Sequence, residues 1–505
     1  MKRRTILFSI ASLLLATVVG LRVAGQEPPF GQVRVDPTTQ QILDEIKSNN
    51  QIMANLEYLS DMIGPRVTGT DKTTQASRWT MEMFQKYGLE NPHLEGWTIA
   101  RAWYRGSASA RIVSPAEHLV TIASAGWAPS TAGKVRGTVV YVNARRPEEL
   151  ERYRGKLKGA IVVTAEPARL PDPYEIPRSP LLSVAQPPPG QPGGGPGGGG
   201  GGGQQFARTR DEFLKAEGVA AVLRDSVKPH GLVNMTGIGG RNFDIGLLPT
   251  AFVSPEGYRL IWRLMQRGPV QMEIEMKNSF SDKPVEVYNT VAEIRGSEKP
   301  DEVVLIGAHL DSWDLGTGTT DNGTGSSAVI EAARALQKLN LKPKRSIRFV
   351  LFTGEEEGLV GSRKYVEAHK DELPKFSGIL VHDTGTGRVE AIGMHGNYAA
   401  REVMDRVGVQ LRSIGLSENS LRRSNGTDHL SFNEGGVPGF YCIQNPAEYG
   451  KTHHTQSDTF DKVWKDDLVQ GAQVLAVWAY HVAQLPDLLP RTAQPAATQT
   501  AGPQD

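Results

Sequence analysis

The sequence predicts an α/β fold: a mixed, mostly parallel central sheet flanked by helices, with a smaller β-rich domain inserted into it. Three observations predict this. From Tyr288 onward, short apolar runs alternate with helical patterns, as strands joined by crossover helices do. Several of these runs, such as Val303-Val304-Leu305-Ile306-Gly307-Ala308, are apolar without a break, as strands buried on both faces are. Between about Ser107 and Glu286 the texture changes to short β-rich runs with turn signals.

Each element has its own signal. Ile42, Ile46, Ile52, Leu56 and Leu59 recur at helical spacing and predict one helix over 39–59. Ile63-Gly64-Pro65-Arg66 is a turn, and a second helix is expected over 73–87, ended by Gly88. Inside the 107–286 block, strands are expected at 137–142, 159–163 and 219–223, with a short helix at 210–217. Pro187 to Gly203 is almost all Pro and Gly and reads as a flexible, exposed loop. It is not read as a phosphate loop, because no Lys-Ser/Thr follows and no helix is expected directly after it. Further on, strands are expected at 289–294, 302–306, 346–352, 378–381 and 439–443. Helices are expected at 325–339, 361–368, 399–407 and 466–483. The tail, 489–505, is polar and rich in Pro, Ala and Gln, and is expected to be disordered.

At 505 residues the chain is long for one domain, and two or three are expected. Residues 26–106 and 287–488 would form the larger domain around the insert. Lys2, Arg3 and Arg4 precede the apolar stretch Ile6–Val19, and Val23-Ala24-Gly25 supplies small residues. Residues 1–25 therefore read as a secretory signal peptide, which predicts a secreted, extracellular or periplasmic protein with no membrane span in the mature chain. Its removal takes four basic and no acidic residues and turns a formal charge of +1 into −3. Neither value makes an electrostatic case for nucleic acid or an anionic membrane. Cys442 is the single cysteine, so no intrachain disulfide can form; it reads as a buried strand residue.

The chemistry sits past the ends of the apolar runs, where open α/β sheets build their sites. His309 ends the 303–308 run and Asp311 follows it; Asp311 reads as a carboxylate supporting the site. Asp321 opens the next helix, in Thr320-Asp321-Asn322-Gly323. Thr353-Gly354-Glu355-Glu356-Glu357-Gly358 follows the 346–352 run, and its three adjacent carboxylates repel one another unless a cation is present. Asp383 ends the 378–381 run, and strand alternation turns its neighbour His382 away. His453 and His454 lie in a loop after the Cys442 strand. Singly, each has a bland reading: a buried histidine, an N-cap aspartate, a solvated charge run. Together they are too many N/O donors for one tetrahedral zinc, and they suit two ions sharing a carboxylate.

Residues 288–314, 320–327, 353–362, 383 and 453–459 resemble the di-zinc exopeptidases of metallopeptidase family twenty-eight, most closely its carboxypeptidase Q branch. Asn289-Thr290-Val291-Ala292-Glu293-Ile294-Arg295-Gly296, Gly307-Ala308-His309-Leu310-Asp311-Ser312-Trp313-Asp314 and Ile63-Gly64-Pro65-Arg66-Val67-Thr68-Gly69 carry the likeness. The resemblance implies the zinc exopeptidase fold with an inserted protease-associated domain. It also implies two zinc ions per chain: one held by His309, Asp321 and Asp383, the other by Asp321, Glu356 and His454. The residues alone leave open which of Asp383 and Glu356 accompanies which histidine. Glu355 would be the general base and acid for hydrolysis of a peptide bond. His453 would donate to the oxyanion, Asn425 and Thr427 would touch substrate, and Asp458 would hydrogen-bond to its loop or to a ligand residue. Glu357 falls on a variable position and is expected to face solvent. The expected function is a secreted exopeptidase acting on dipeptides or short peptides, with a homodimer plausible by resemblance. The alternatives are a non-catalytic binding protein and a single-zinc glutaminyl cyclase on the same fold.

Overall fold

The computed structural model describes residues 35–169, 201–424 and 426–492. The proposed signal peptide, most of the Gly/Pro-rich stretch, Asn425 and residues 493–505 lie outside the described residues.

The central sheet has seven strands: β1 Glu90–Ile99, β2 Val285–Ile294, β3 Lys299–His309, β4 Arg345–Phe352, β5 Phe376–Val381, β6 Val389–Gly393 and β7 Gly439–Gln444. Their order is β1-β2-β4-β3-β5-β7-β6. The middle four, β4-β3-β5-β7, run parallel, and the remaining pairings are antiparallel. The sheet is therefore mixed with a parallel centre, as the alternating pattern predicts.

Strand alternation divides β3 between two cores. Val304, Ile306 and Ala308 face a core completed by residues such as Ile42, Phe84, Leu336 and Trp478, from the helices Pro37–Asn49, Asp71–Lys86, Thr324–Lys338 and Lys465–Gln484. Val303 and Leu305 face a second core with Tyr365 and Phe432, from Val360–Ala368 and His429–Glu434. Both faces are covered, which is why the inner strands read as unbroken apolar runs. Cys442 is buried on β7, and burial pushes its thiol pKa up.

A second sheet of eight strands spans residues 108–276. Its strands Val135–Tyr141, Ile161–Val163, Ala221–Asp225 and Thr250–Val253 run parallel. Pro255–Met265 supplies Tyr258 and Ile261 to its core.

Four expectations are corrected. The 39–59 segment is two helices, Pro37–Asn49 and Ile52–Glu57. Asn50 between them is extended, and its side chain caps the carbonyl of Ile46 at 2.9 Å while the backbone of Gln51 donates to Glu331 at 3.0 Å. A helix does open directly from the glycine run: Gly201–Ala216 begins inside it. Gln204 and Gln205 stand in that helix, so the Lys-Ser/Thr of a phosphate loop is still missing. Residues 489–492 are packed rather than loose. Leu489 is buried and its N–H donates to Ser377 at 3.1 Å, while Arg491 donates to the carbonyls of Leu373 and Phe376. The fourth correction, Glu357, belongs to the site.

Candidate metal centre

The four parallel strands end on one edge and deliver their following residues to one place. His309 closes β3, and Asp383 lies two residues past β5. Glu355 and Glu356 sit on the turn after β4, which Gly354 (φ +74°) and Gly358 (φ +111°) allow to fold tightly. Asp321 sits in the irregular turn Thr319–Gly323 that leads into the helix Thr324–Lys338; its peptide bond to Asn322 is cis. That helix starts against the sheet edge because Gly325 is glycine: a β-carbon there would lie 2.3 Å from the His382 carbonyl. His454 follows the short helix Tyr449–Thr452 and holds a left-handed backbone, φ +57°.

The side chains converge as two groups joined at Asp321. On one side, His309 Nε2 lies 3.2 Å from Asp383 Oδ1 and 3.3 Å from Asp321 Oδ1. On the other, His454 Nε2 lies 2.9 Å from Glu356 Oε2 and 3.2 Å from Asp321 Oδ2. Asp321 thus presents one carboxylate oxygen to each histidine. The geometry places Asp383 with His309 and Glu356 with His454, the pairing that the residues alone left open. Glu355 Oε2 is 4.0 Å from His309 Nε2.

The supporting contacts are specific. The ring of His309 has its Nδ1 3.0 Å from the carbonyl of Asp311, which orients Nε2 toward the carboxylates. Asp311 Oδ2 accepts from Thr68 at 3.0 Å and from the Glu356 N–H at 3.2 Å, and Oδ1 accepts from the Glu355 N–H at 3.4 Å. Asp311 therefore fixes the glutamate turn. Asp458 accepts from Thr320 N–H at 2.6 Å, from its hydroxyl at 2.8 Å and from the Asp321 N–H at 3.3 Å, so it holds the Asp321 turn. Arg66 is wholly buried and donates to the carbonyls of Gly64, Leu310, Thr317 and Gly318. It ties down the loop between His309 and Asp321; burial lowers its pKa to about 10.

His453 stacks on His454 with 3.6 Å between ring centroids, and its Nε2 is 3.8 Å from Asp321 Oδ2. Thr427 is buried and lines the cleft. His382 points away from the group: its ring lies where a β-carbon on Gly471 would be 2.7 Å from Nε2, and burial depresses its pKa to about 4. Glu357, expected to face solvent, is buried instead. The tight turn folds its carboxyl inward toward Thr68 and Asp311, and burial together with the Asp311 charge raises its pKa well above the usual carboxylate range. Asp428 was not singled out from the sequence. It too is buried, and burial beside Asp383 and Asp311 raises its carboxyl to about 7. Neither has a sequence signal that separates it from an exposed acid.

Electrostatically the group needs cations. Burial and the neighbouring Asp383, Asp428 and Glu356 charges push Glu355 well above its ordinary pKa, and burial lifts Glu356 to about 7. Burial would depress the histidines, but the carboxylates outweigh it: His309 is raised well above its usual value, and His454 to about 10. Asp321 Oδ2 and Glu356 Oε1 are buried without a well-aligned hydrogen bond among the described residues. Buried carboxylates with orphaned oxygens, gathered beside two imidazole nitrogens and with no thiolate, fit zinc. The centre opens into a cleft of about 1650 Å³, whose lining includes Trp127, Arg241 and Asn242 of the second-sheet region.

Comparison with known proteins identifies the family. Residues 289–479 match the model of peptidase family M28. Carboxypeptidase Q of Pongo abelii is 30% identical over 448 residues, 88% of each chain. The structure of a peptidase M28 precursor from Shewanella amazonensis SB2B superposes with a TM-score of 0.72 at 26% identity, over 90% of this chain and 98% of that one. A zinc aminopeptidase from Bacillus subtilis shares the fold with a TM-score of 0.61 at 19% identity, over 86% and 98% of the two chains. On the near full-length relationship to the first of these, the chain belongs to peptidase family M28 and is a zinc-dependent exopeptidase.

Proposed function

We propose that the chain is a di-zinc exopeptidase that hydrolyses dipeptides or short peptides, with Glu355 as general base and acid. The observation that carries this reading is the Asp321 carboxylate, with one oxygen toward His309 and Asp383 and the other toward His454 and Glu356. His309, Asp383 and Asp321 would hold one zinc; His454, Glu356 and Asp321 the other. Such a pair supplies Lewis acidity and a water acidified toward neutral pH.

The rest is the work of the chain's own residues. Glu355, 12% exposed and 4.0 Å from His309 Nε2, would take a proton from the attacking water and pass it to the leaving amine. Asp311 keeps it there by holding its N–H. The half-exposed His453 ring would donate to the oxyanion of the tetrahedral intermediate. Thr427, and Asn425 beside it in the sequence, would contact substrate. The second-sheet region is a protease-associated type of domain, residues 1–25 are a signal peptide and the mature protein is secreted, with a homodimer as its assembly. Among the described residues no helix is long and apolar enough to cross a membrane.

Glu355→Gln tests the reading. The variant is expected to keep two zinc ions per chain by metal analysis and to lose peptide hydrolysis by about three orders of magnitude or more. Near-normal turnover would remove Glu355 from the mechanism. A wild-type chain with no zinc above trace would favour a non-catalytic binding protein; one zinc and a cyclised product from N-terminal glutamine would favour a glutaminyl cyclase.

A further inference from the structure

An exopeptidase must read a charged chain end, and the cleft has charge of only one sign to spare. Its described acidic lining residues are Asp321, Glu355, Glu356, Glu357, Asp383 and Glu434. Four of these form the proposed metal and proton-transfer group. Glu357 is folded inward, and Glu434 is paired with Arg363, accepting from Nη2 at 3.0 Å. No acidic side chain is left over to meet a substrate ammonium. Apart from His453 and His454 at the proposed metal group, the basic residues of the same lining are all arginines: Arg241, Arg363, Arg422 and Arg423.

Arg241 is the one packed against the turn that follows β4. It is exposed, and among the described residues it forms no ion pair or hydrogen bond. Its side chain lies across the backbone of Gly358, where a β-carbon would be 2.9 Å from Cγ and 3.1 Å from Nε. Gly358 belongs to the turn that carries Glu355 and Glu356.

The segment bearing Arg241 is anchored, so its position is set by the fold. Upstream, Met235 N–H donates to the His454 carbonyl at 3.1 Å, Val233 N–H donates to Gln456 at 2.9 Å, and Gln456 donates back to the Gly231 carbonyl at 3.2 Å. Ile238 N–H donates to the Gly126 carbonyl at 2.9 Å. Downstream, Phe243 (φ +55°) is buried in an aromatic group with Trp97 and Trp127. The second-sheet region thus grips the His454 loop and, on the same segment, holds a guanidinium over the glutamate turn.

We propose that Arg241 determines specificity by binding the free C-terminal carboxylate of the substrate. A guanidinium fork matches a carboxylate with two parallel hydrogen bonds, a geometry a lysine cannot reproduce. The proposal rests on the hydrolase reading above and adds which end of the peptide is read.

The test compares the zinc-loaded full chain and its variants on an unblocked dipeptide, its C-terminal amide and its N-acetyl form. Wild type is expected to prefer the unblocked dipeptide and the N-acetyl form over the amide. Arg241→Ala should raise KM for the free acid about 10- to 100-fold, with kcat and zinc content unchanged, and leave the amide nearly unaffected. Arg241→Lys should recover only part of the loss. Equal turnover of acid and amide by wild type would overturn the assignment and leave the hydrolase reading intact. So would an Arg241→Ala variant with wild-type discrimination, or a loss of discrimination seen in Arg423→Ala instead. A zinc-loaded wild type that cleaves none of the three would overturn the hydrolase reading and this assignment with it.

Discussion

Asp321 can face two histidines at once because its backbone turn is held from behind. Asp458 accepts from the Thr320 and Asp321 N–H groups, so the Asp321 carboxylate is aimed by hydrogen bonds that its own side chain does not make. The same buried carboxylates keep His309 and His454 protonated in the metal-free chain, His454 up to about 10. Zinc binds neutral imidazole, so those protons must leave when the metal arrives. A raised pKa means that protons compete below it, and zinc affinity therefore rises as pH climbs from 6 toward 10. Loading the chelated chain with zinc at pH 7 should release about two protons from the histidines, with a further fraction from Glu356, whose pKa is about 7. Titration calorimetry in buffers of different ionisation enthalpy measures the number; zero release would contradict the assigned charge states. At this scale the ligand types were legible in the sequence, because His, Asp and Glu past apolar strand ends are few. Glu357 was not. Three adjacent glutamates look alike in sequence, and only the dihedrals set by Gly354 and Gly358 decide which carboxyl turns inward.

At the scale of elements, the inner strands declared themselves because burial on both faces makes them apolar throughout. The edge strands did not. β1 is Glu-Asn-Pro-His-Leu-Glu-Gly-Trp-Thr-Ile and is largely exposed or half-buried along its first half, so it carries no apolar run. β6 is five residues long and lies at the other edge. The break at Asn50 was likewise hidden, because the apolar spacing continues across it while a side chain from a distant helix, Glu331, captures the Gln51 N–H. The element that ties the second-sheet region to the His454 loop is the 231–243 segment. Its bond from Met235 to the His454 carbonyl helps hold a left-handed histidine backbone that is costly for a non-glycine residue. Gln456→Ala removes two hydrogen bonds of this clamp, worth roughly 1–3 kcal/mol together. The variant should give up one zinc per chain to a chelator faster than wild type, while the zinc with Asp383 resists as before. Unchanged release of both ions would show that the clamp does not set the His454 position.

Across the whole molecule, the active edge of the sheet and the second-sheet region form one unit. His309, Glu355, Glu356 and Asp383 lie at or just past the ends of the parallel strands, yet the cleft they open into is also lined by Trp127, Arg241 and Asn242. Sequence reading separates the two blocks by texture and cannot show that the second reaches back to the first, because hydrogen bonds such as Val233 to Gln456 join residues more than two hundred positions apart. The packed 489–492 segment was missed for a similar reason: Leu489 is buried by Ser377 and its surroundings, which are distant in sequence. The central claim is that two zinc ions share Asp321. Anomalous diffraction at the zinc edge from crystals of the zinc-loaded chain tests it most directly. The account predicts two peaks about 3.5–4 Å apart, one beside His309 and Asp383 and one beside His454 and Glu356, with Asp321 between them; a single peak, or two that do not flank Asp321, would contradict it.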